Sequence, residues 1–501
     1  MAIEFFLAKN GEQSAKANGV LLHSSYNPQA EGERFSQGAN ADFIPKNVIV
    51  LEAALGYCAQ GLRKKYPKAR LGCIRFCDSF SQKNKLWDFE ILLDQDAKAP
   101  LSERLFDLLG EEGLFESAFF EWEPAARAWP EQSKEAWGQI KEALKKAKTV
   151  LATREHFGKR WLKNKVSFFY KIQNTVFANK IQKPVLVCAS GPSLEAALDT
   201  IKKSRQKLFV CALSSAASVL AFAKIEPDLL LSSDGGFWAK KHLEPLNKNF
   251  LNVPLALEPE SACPSRLLQT KDILPLCYDD DVASKKLFLA LGIQSLLARR
   301  NGTVSGSALE LFLANCEKEI FFCGLDLAPS KNKSHALPNV LENERDASDF
   351  RLRTKATRQA AAALPSESLK IYESWFSCFD LKGRKVFRIK GKEDFCNKLG
   401  QIKDISVQDF EAMLNKDSGP SETTFFEKQK QSGQMTKEQR ARAIKKALLE
   451  WSKSEDFCKE LFPSDDIMLN RAAQDSEKEE RQKTIDRKKS KLLEELFGGL
   501  K

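Results

Sequence analysis

Between Lys183 and Trp375 short apolar runs alternate with stretches of helical period, and this alternation constrains the fold more than any other feature. Strands are expected at Val185 to Ala189, Leu208 to Ala212, Leu229 to Ser232, Val253 to Leu257, Ile273 to Tyr278, Ile320 to Gly324 and Leu369 to Tyr372. Helical stretches fall between most of them. Parallel strands need crossover connections, and helices supply them. The expected class is therefore α/β, with a central doubly wound, Rossmann-like sheet whose ligands bind outside the carboxyl ends of its strands.

The flanks read differently. With 501 residues the chain is too long for one core, and about three domains are expected. Residues 1–150 suggest an N-terminal α/β domain, with a strand at Asn47 to Leu51, a helix at Ala53 to Lys65 and a strand at Leu71 to Phe76. Glu131 to Phe168 is charged and helical in period, and residues 151–182 are assigned to a helical linker. The regular α/β segment occupies 183–378. Residues 379–501 form a charged, helical C-terminal region, with exposed helices at Glu427 to Ser452 and Asp475 to Leu496 and a hairpin around Trp451 to Phe462.

Composition excludes more than it specifies. A formal net charge of +11 spread over this length permits phosphate-bearing ligands without demanding them. Aromatic and basic residues do not cluster as nucleic-acid binding requires. Met1 to Asn10 has no basic flank of the secretory kind. The most apolar stretch, Leu208 to Ala223, is short, Ser-rich and closed by Lys224, so no membrane insertion is expected. The reading is a soluble, cytoplasmic protein. Twelve cysteines contain no CxxC pair, and the four histidines lie apart from them, so no metal site is expected. The run Asp279 to Asp281 reads as a solvated turn, because neighbouring side chains on extended backbone point in alternating directions.

Four segments carry candidate chemistry. The run Val185 to Leu194 (VLVCASGPSL) is a strand, a small-residue turn and a helix start. Gly191 lets backbone and ligand approach closely, Pro192 suits a helix start, and Ser193 is a candidate cap. The first-turn amides of such a helix favour an anion; a plain capped connection is an equal alternative. Because the turn lies at the sheet edge, Gly191→Val is expected to leave the fold intact. Asp234 ends an apolar strand before Gly235 and Gly236, where it suits a ribose hydroxyl or an Asx turn. Ser214 and Ser215 bring hydroxyls to the same edge. Asn301 to Gly306 (NGTVSG) opens another helix, and the following strand ends in Gly324-Leu325-Asp326, repeating the anion-site logic. His335, in the polar loop after that strand, is a candidate general base, against the alternative of a solvated surface histidine.

In combination these residues resemble a known family. ASGPSL at 189–194, the Pro227-Asp228 to Ser233-Asp234 segment, GTVSG at 302–306, and CGLDLA at 323–328 followed by His335 are similar in order and spacing to the motility accessory factor family. The central domain also resembles 6-hydroxymethylpterin diphosphokinase-like proteins and bacterial sialyltransferases that use cytidine monophosphate sugars. Leu21 to Pro28 and Leu55 to Tyr57 look like the front domain of the flagellar members.

The resemblance implies a sialyltransferase-like glycosyltransferase, inverting and metal-independent, with no cofactor beyond a CMP-sugar donor. It would move a nonulosonic acid of the pseudaminic or legionaminic type to Ser or Thr of flagellin. Ser190, Gly191, Pro192, Ser193, Ser214 and Asp234 would hold the nucleotide. Thr303, Ser305, Gly306 and Asp326 would meet donor sugar or phosphate. His335 would be the base. The tyrosines that hold the leaving phosphate in the sialyltransferases have no counterpart between Asp326 and Arg351, and Lys331 and Lys333 are the substitutes. The sialyltransferases carry Asn where this chain has Ser190. The competing expectations are ATP-dependent pyrophosphoryl transfer to a pterin and a non-catalytic flagellin assembly factor.

Overall fold

The computed structural model describes residues 3–80, 86–94, 99–300, 302–328, 334–362, 367–391, 397–416, 425–429 and 435–500. They form two compact units, Met1–Lys159 with Ser454–Glu494, and Arg160–Lys453 with Glu495–Lys501. The helix Pro130–Lys171 contributes residues to both.

Unit 1 begins with an antiparallel sheet of β1 (Ile3–Leu7), β2 (Gln13–Ala17) and β3 (Val20–Leu21). A parallel sheet follows in the order β6-β5-β4-β7, from β4 (Asn47–Leu51), β5 (Arg70–Arg75), β6 (Phe89–Leu92) and β7 (Ser117–Glu121). The helix expected from Ala53 starts only at Cys58. Glu52, Ala54 and Gly56 have positive φ, and the buried Glu52 carboxylate accepts from Ala54 N–H and Phe76 N–H while pairing with Arg75. That turn satisfies backbone groups that a longer helix would have used.

Unit 2 is built on β8 (Asn174–Ala178), β9 (Val185–Cys188), β10 (Phe209–Leu213), β11 (Leu229–Ser232), β12 (Leu255–Leu257), β13 (Asp272–Tyr278), β14 (Leu296–Ala298), β15 (Ile320–Cys323), β16 (Val386–Ile389), β17 (Lys403–Ile405) and β18 (Phe426–Lys428). The order is β17-β16-β15-β9-β10-β11-β12-β13-β8-β18, with β14 paired to β13; β18 alone of these is antiparallel to its neighbour. Val185, Leu186, Val187 and Cys188 are fully buried, as are their neighbours on β10 and β15, because helices cover both faces. Burial pushes the Cys188 thiol up to about 12, so it behaves as a small apolar side chain.

The doubly wound α/β class read from the sequence is the observed one, and the C-terminal helices Lys437–Trp451, Glu455–Leu461, Pro463–Arg471 and Asp475–Gly498 are present. Two expectations change. Leu369 to Tyr372 is not a strand but part of the helix Glu367–Cys378. Phe376 is fully buried there and Trp375 packs on Phe379, a helical spacing that outweighs the local β-propensity. The segment after Asp380 is not only helical, because β16 and β17 extend the central sheet beside β15 and β18 closes its far edge. These strands hold three or four residues each, too few to show a period in sequence. Among the described residues no helix is long and apolar enough to cross a membrane.

Candidate functional site

The chain leaves β9 on one side, toward β10, and returns on the other, at β15. The strand order reverses there, and the carboxyl edge at such a switch point is the crevice where doubly wound sheets bind ligands. Its floor is the turn after β9 and the loop after β15.

These two segments are bound to each other. Gly191 N–H donates to the Gly324 carbonyl at 2.8 Å and Ala189 N–H to that of Cys323 at 2.8 Å. The Asp326 carboxylate accepts from Ser193 N–H at 2.9 Å and from the Ser193 hydroxyl, while Gly324 N–H donates to Ser193 Oγ at 3.1 Å. Ser193 therefore does not cap the helix Leu194–Lys203 with its side chain. Pro192 stands before the cap residue, and its carbonyl accepts from Glu195 N–H. A Cβ on Gly191 would meet the Gly324 oxygen at 2.5 Å and Asp326 Oδ2 at 2.6 Å. The expectation that Gly191→Val leaves the fold intact is overturned, because the turn is packed against a second backbone rather than standing free at the edge.

The β15 loop is fixed from behind by residues with no recognisable motif. Arg388, fully buried on β16, forms a two-pronged pair with Asp404 at 2.7 and 3.0 Å. It also donates to Asn397, whose amide donates to the carbonyls of Asp326 and Leu327 at 3.0 and 3.1 Å.

His335 stands at the same crevice. Ala336 N–H donates to the Ser190 carbonyl at 2.8 Å, and Leu337 N–H to Glu195 Oε1 at 2.8 Å, which ties the His335 segment to the turn after β9. The His335 side chain is 25% exposed, with Nδ1 2.9 Å from Glu342 Oε1. A carboxylate only accepts, so Nδ1 carries the proton and Nε2 of the neutral ring is left as the acceptor. Arg358 donates to the other Glu342 oxygen at 3.2 Å. Asn339, fully buried, caps the helix Val340–Ala347 and donates to the Ser215 carbonyl at 3.2 Å. Asn339 and Glu342 have the spacing of a capping pair, a signal readable in the sequence; the partnership of Glu342 with His335 is not.

His242 is a second imidazole here. It is buried on the helix Phe237–Leu243, which packs against the Ser214–Ala216 turn and the helix Val340–Ala347. Burial first, and the charge of His335 second, push it down to about 4 against the pull of Asp234. No motif marks it in the sequence. Asp234 is exposed, and its Oδ1 accepts from Gly236 N–H at 2.7 Å, an Asx turn. Ser214 is buried in the turn after β10.

Thr303 caps the helix Val304–Asn315 by accepting from Gly306 N–H at 2.8 Å. Gly306 is buried, Ser305 partly so, and Ser307 Oγ lies 3.4 Å from Ser233 Oγ, which brings this helix start to the end of β11. Lys331 and Lys333 lie outside the described residues.

Farther along the edge is a charged cluster that the sequence did not reveal. Lys165 lies 3.0 Å from both Glu260 and Asp281, and Arg300 grips Glu260 at 2.6 and 2.9 Å. Burial opposes ionisation of Glu260, but the two cations hold its carboxyl down to about 2. Burial, then Glu260 and Asp281, push Glu258 well above the usual carboxylate range. The solvated turn expected at Asp279 to Asp281 is overturned for Asp281, which is 1% exposed and caps the helix Val282–Leu291. Among the described residues no three His, Cys, Asp or Glu side chains converge as metal ligands.

Unit 1 has a cavity of about 350 Å³ at the carboxyl ends of β5 and β6. Asp78, Asp94 and Glu135 are among the residues that line it.

The fold and the crevice define a doubly wound α/β protein with an edge site of histidine, carboxylate and small-residue turns. A model of the family described as 6-hydroxymethylpterin diphosphokinase MptE-like matches residues 155–332. An uncharacterised protein of Treponema pallidum (strain Nichols) is 31% identical over 325 residues, which cover 63% of this chain and 69% of that protein. The MAf glycosyltransferase structure from Magnetospirillum magneticum AMB-1 superposes with a TM-score of 0.53, covering 99% of this chain and 92% of that one, at 13% identity. The chain belongs to one family with the treponemal protein and carries the MptE-like domain. The MAf likeness, at that identity, is one of fold, and the resemblance read from the motifs is the one these comparisons return.

Proposed function

We propose that the chain is a nucleotide-sugar-dependent glycosyltransferase that moves a nonulosonic acid from a CMP-activated donor to Ser or Thr hydroxyls of flagellin, in the cytoplasm. The observation that carries this reading is the His335–Glu342 pair at the switch-point crevice, tied to the turn after β9 through Ala336 and Ser190. A hydroxyl is a poor nucleophile at neutral pH, and a positioned base contributes roughly 10²–10⁴-fold. Nε2 of His335 takes the acceptor proton as the oxygen attacks the anomeric carbon and the bond to the nucleotide phosphate breaks from the opposite face, with inversion. Glu342 fixes the ring and offsets the charge it gains. The nucleotide lies along Ser190, Gly191 and Pro192, with Ser214 and Asp234 toward its ribose or base and Thr303, Ser305 and Gly306 toward the sugar. Ser193 acts through Asp326, holding the crevice floor.

Calorimetric titration with CMP, ATP and CMP-sialic acid tests this. Binding of CMP and CMP-sialic acid without metal is expected. Preferential ATP binding with magnesium replaces the reading by pyrophosphoryl transfer, and no binding of any nucleotide replaces it by an assembly role.

A further inference from the structure

We propose that Arg358 is a positioning residue of the crevice: its guanidinium locks the Glu342 carboxylate against His335 and takes up part of that carboxylate's charge. This rests on the reading of His335 as the base, and it adds a residue that acts on the base through Glu342 without touching a ligand.

The geometry is built from the outside inward. Arg358 lies on the helix Lys355–Ala362, and its side chain is 13% exposed, so little water competes for it. Its Nε and Nη2 donate to the two Asp349 oxygens at 3.1 and 2.9 Å. A two-pronged pair of this kind fixes the plane of a guanidinium. In that plane Nη1 points to Glu342 and reaches its Oε2 at 3.2 Å. Nη2 also donates to Asp346, whose other oxygen Lys355 holds at 2.7 Å. The last torsion of a glutamate side chain is broad. With Oε2 held by Arg358, the carboxylate cannot turn freely, and Oε1 stays 2.9 Å from His335 Nδ1. Arg345 reaches that same oxygen only at 3.5 Å and is 40% exposed, so it is the weaker second cation. A lysine at 358 would carry the charge but not the fork, because a single ammonium cannot grip Asp349 in two prongs and reach Glu342 as well.

The charge matters as much as the geometry. The groups around His335 are Glu342, Arg345 and Asp346 on the helix Val340–Ala347, His242 on the helix Phe237–Leu243, Asp234 ahead of that helix, and Glu195, which accepts from Leu337 N–H. Burial pushes His242 down to about 4, so it does not titrate near neutrality. Loss of the Arg358 charge therefore leaves Glu342 to act on the imidazole less opposed, and a carboxylate beside an imidazole favours the protonated ring. A protonated ring cannot accept the proton of an incoming hydroxyl.

Two variants separate charge from geometry, and two readouts follow them. One is the nuclear magnetic resonance titration of the His335 ring in the ligand-free protein, assigned by its loss in His335→Ala. The other is the pH profile of single-turnover transfer. In Arg358→Gln the titration midpoint and the acid limb of the profile are both expected to move up by about one pH unit, and the plateau rate to fall by ~10-fold. In Arg358→Lys the midpoint is expected to stay within about 0.3 pH unit of the wild type, while the plateau falls as it does in Arg358→Gln. Thermal unfolding establishes that each variant is folded. An ion pair that only stabilises the fold would lower the unfolding temperature and leave the midpoint in place. An unmoved midpoint in folded Arg358→Gln, or a wild-type plateau in Arg358→Lys, overturns the assignment of Arg358 alone. Undiminished transfer by His335→Ala removes the reading of the base, and the role of Arg358 with it.

Discussion

Replacing Glu342 by Gln isolates the charge that stands behind His335. The variant keeps an acceptor oxygen for Nδ1–H and nearly the same volume, so the ring stays oriented while the negative charge is lost. The contact is 2.9 Å, and the Glu342 side chain is 7% exposed, so water replaces little of what is removed. A hydrogen bond to a charged group is worth about 1.5–3 kcal/mol net. If it is realised mainly when the ring takes the proton, the transfer rate falls by roughly 10- to 10²-fold. Loss of fold is not expected, because Arg358 retains Asp346 and Asp349 as partners. The assay is single-turnover transfer to flagellin for Glu342→Gln, His335→Ala and the double variant. His335→Ala alone is expected to lose ~10²-fold or more while retaining nucleotide binding. Since Glu342 acts through His335, the double variant should be no slower than His335→Ala. A double variant slower by the product of both losses, or Glu342→Gln at the wild-type rate, refutes the pairing.

Gly191→Ala should destabilise the protein by about 1–3 kcal/mol, seen as a lower denaturant midpoint, because its Cβ meets the Gly324 carbonyl; an unchanged midpoint would show that the two loops separate freely. His242, pushed down to about 4 by burial and by His335, stays neutral in the folded chain and takes a proton near 6.5 once unfolded. Stability tied to it is complete above 6.5 and is lost as pH falls toward about 4. His242→Gln should flatten that slope in urea unfolding at about pH 7.5 and about pH 4.5, and an unaltered slope assigns the acid sensitivity to other groups. Transfer should survive EDTA, since Asp234 is engaged by Gly236 N–H and Asp326 by Ser193; loss of activity restored by magnesium would favour pyrophosphoryl transfer.

The sequence by itself determined the central strands of unit 2, β9 to β13 and β15, and where their carboxyl edge lies. Runs such as Val185 to Cys188 can hide their apolar side chains only between two helical layers, and the small residues that end them mark the carboxyl edge. His335 was legible as a candidate because polar loops at that edge are where chemistry sits. What each residue does there was decided by partners distant in the chain. Ser193 reads as a helix cap until Asp326, 133 residues later, takes both its N–H and its hydroxyl. Asp234 reads as either a ribose ligand or an Asx turn, and its carboxylate accepts from Gly236 N–H in such a turn. His242 and Arg388 carry no motif and Glu342 only the spacing of a capping pair, and all three gain their roles only when crossovers bring helices and the outer strand β16 to one end of the sheet. Periodicity reports which face of an element is buried. A hydrogen bond or ion pair between side chains far apart in sequence depends on register and distance, which only the assembled sheet fixes.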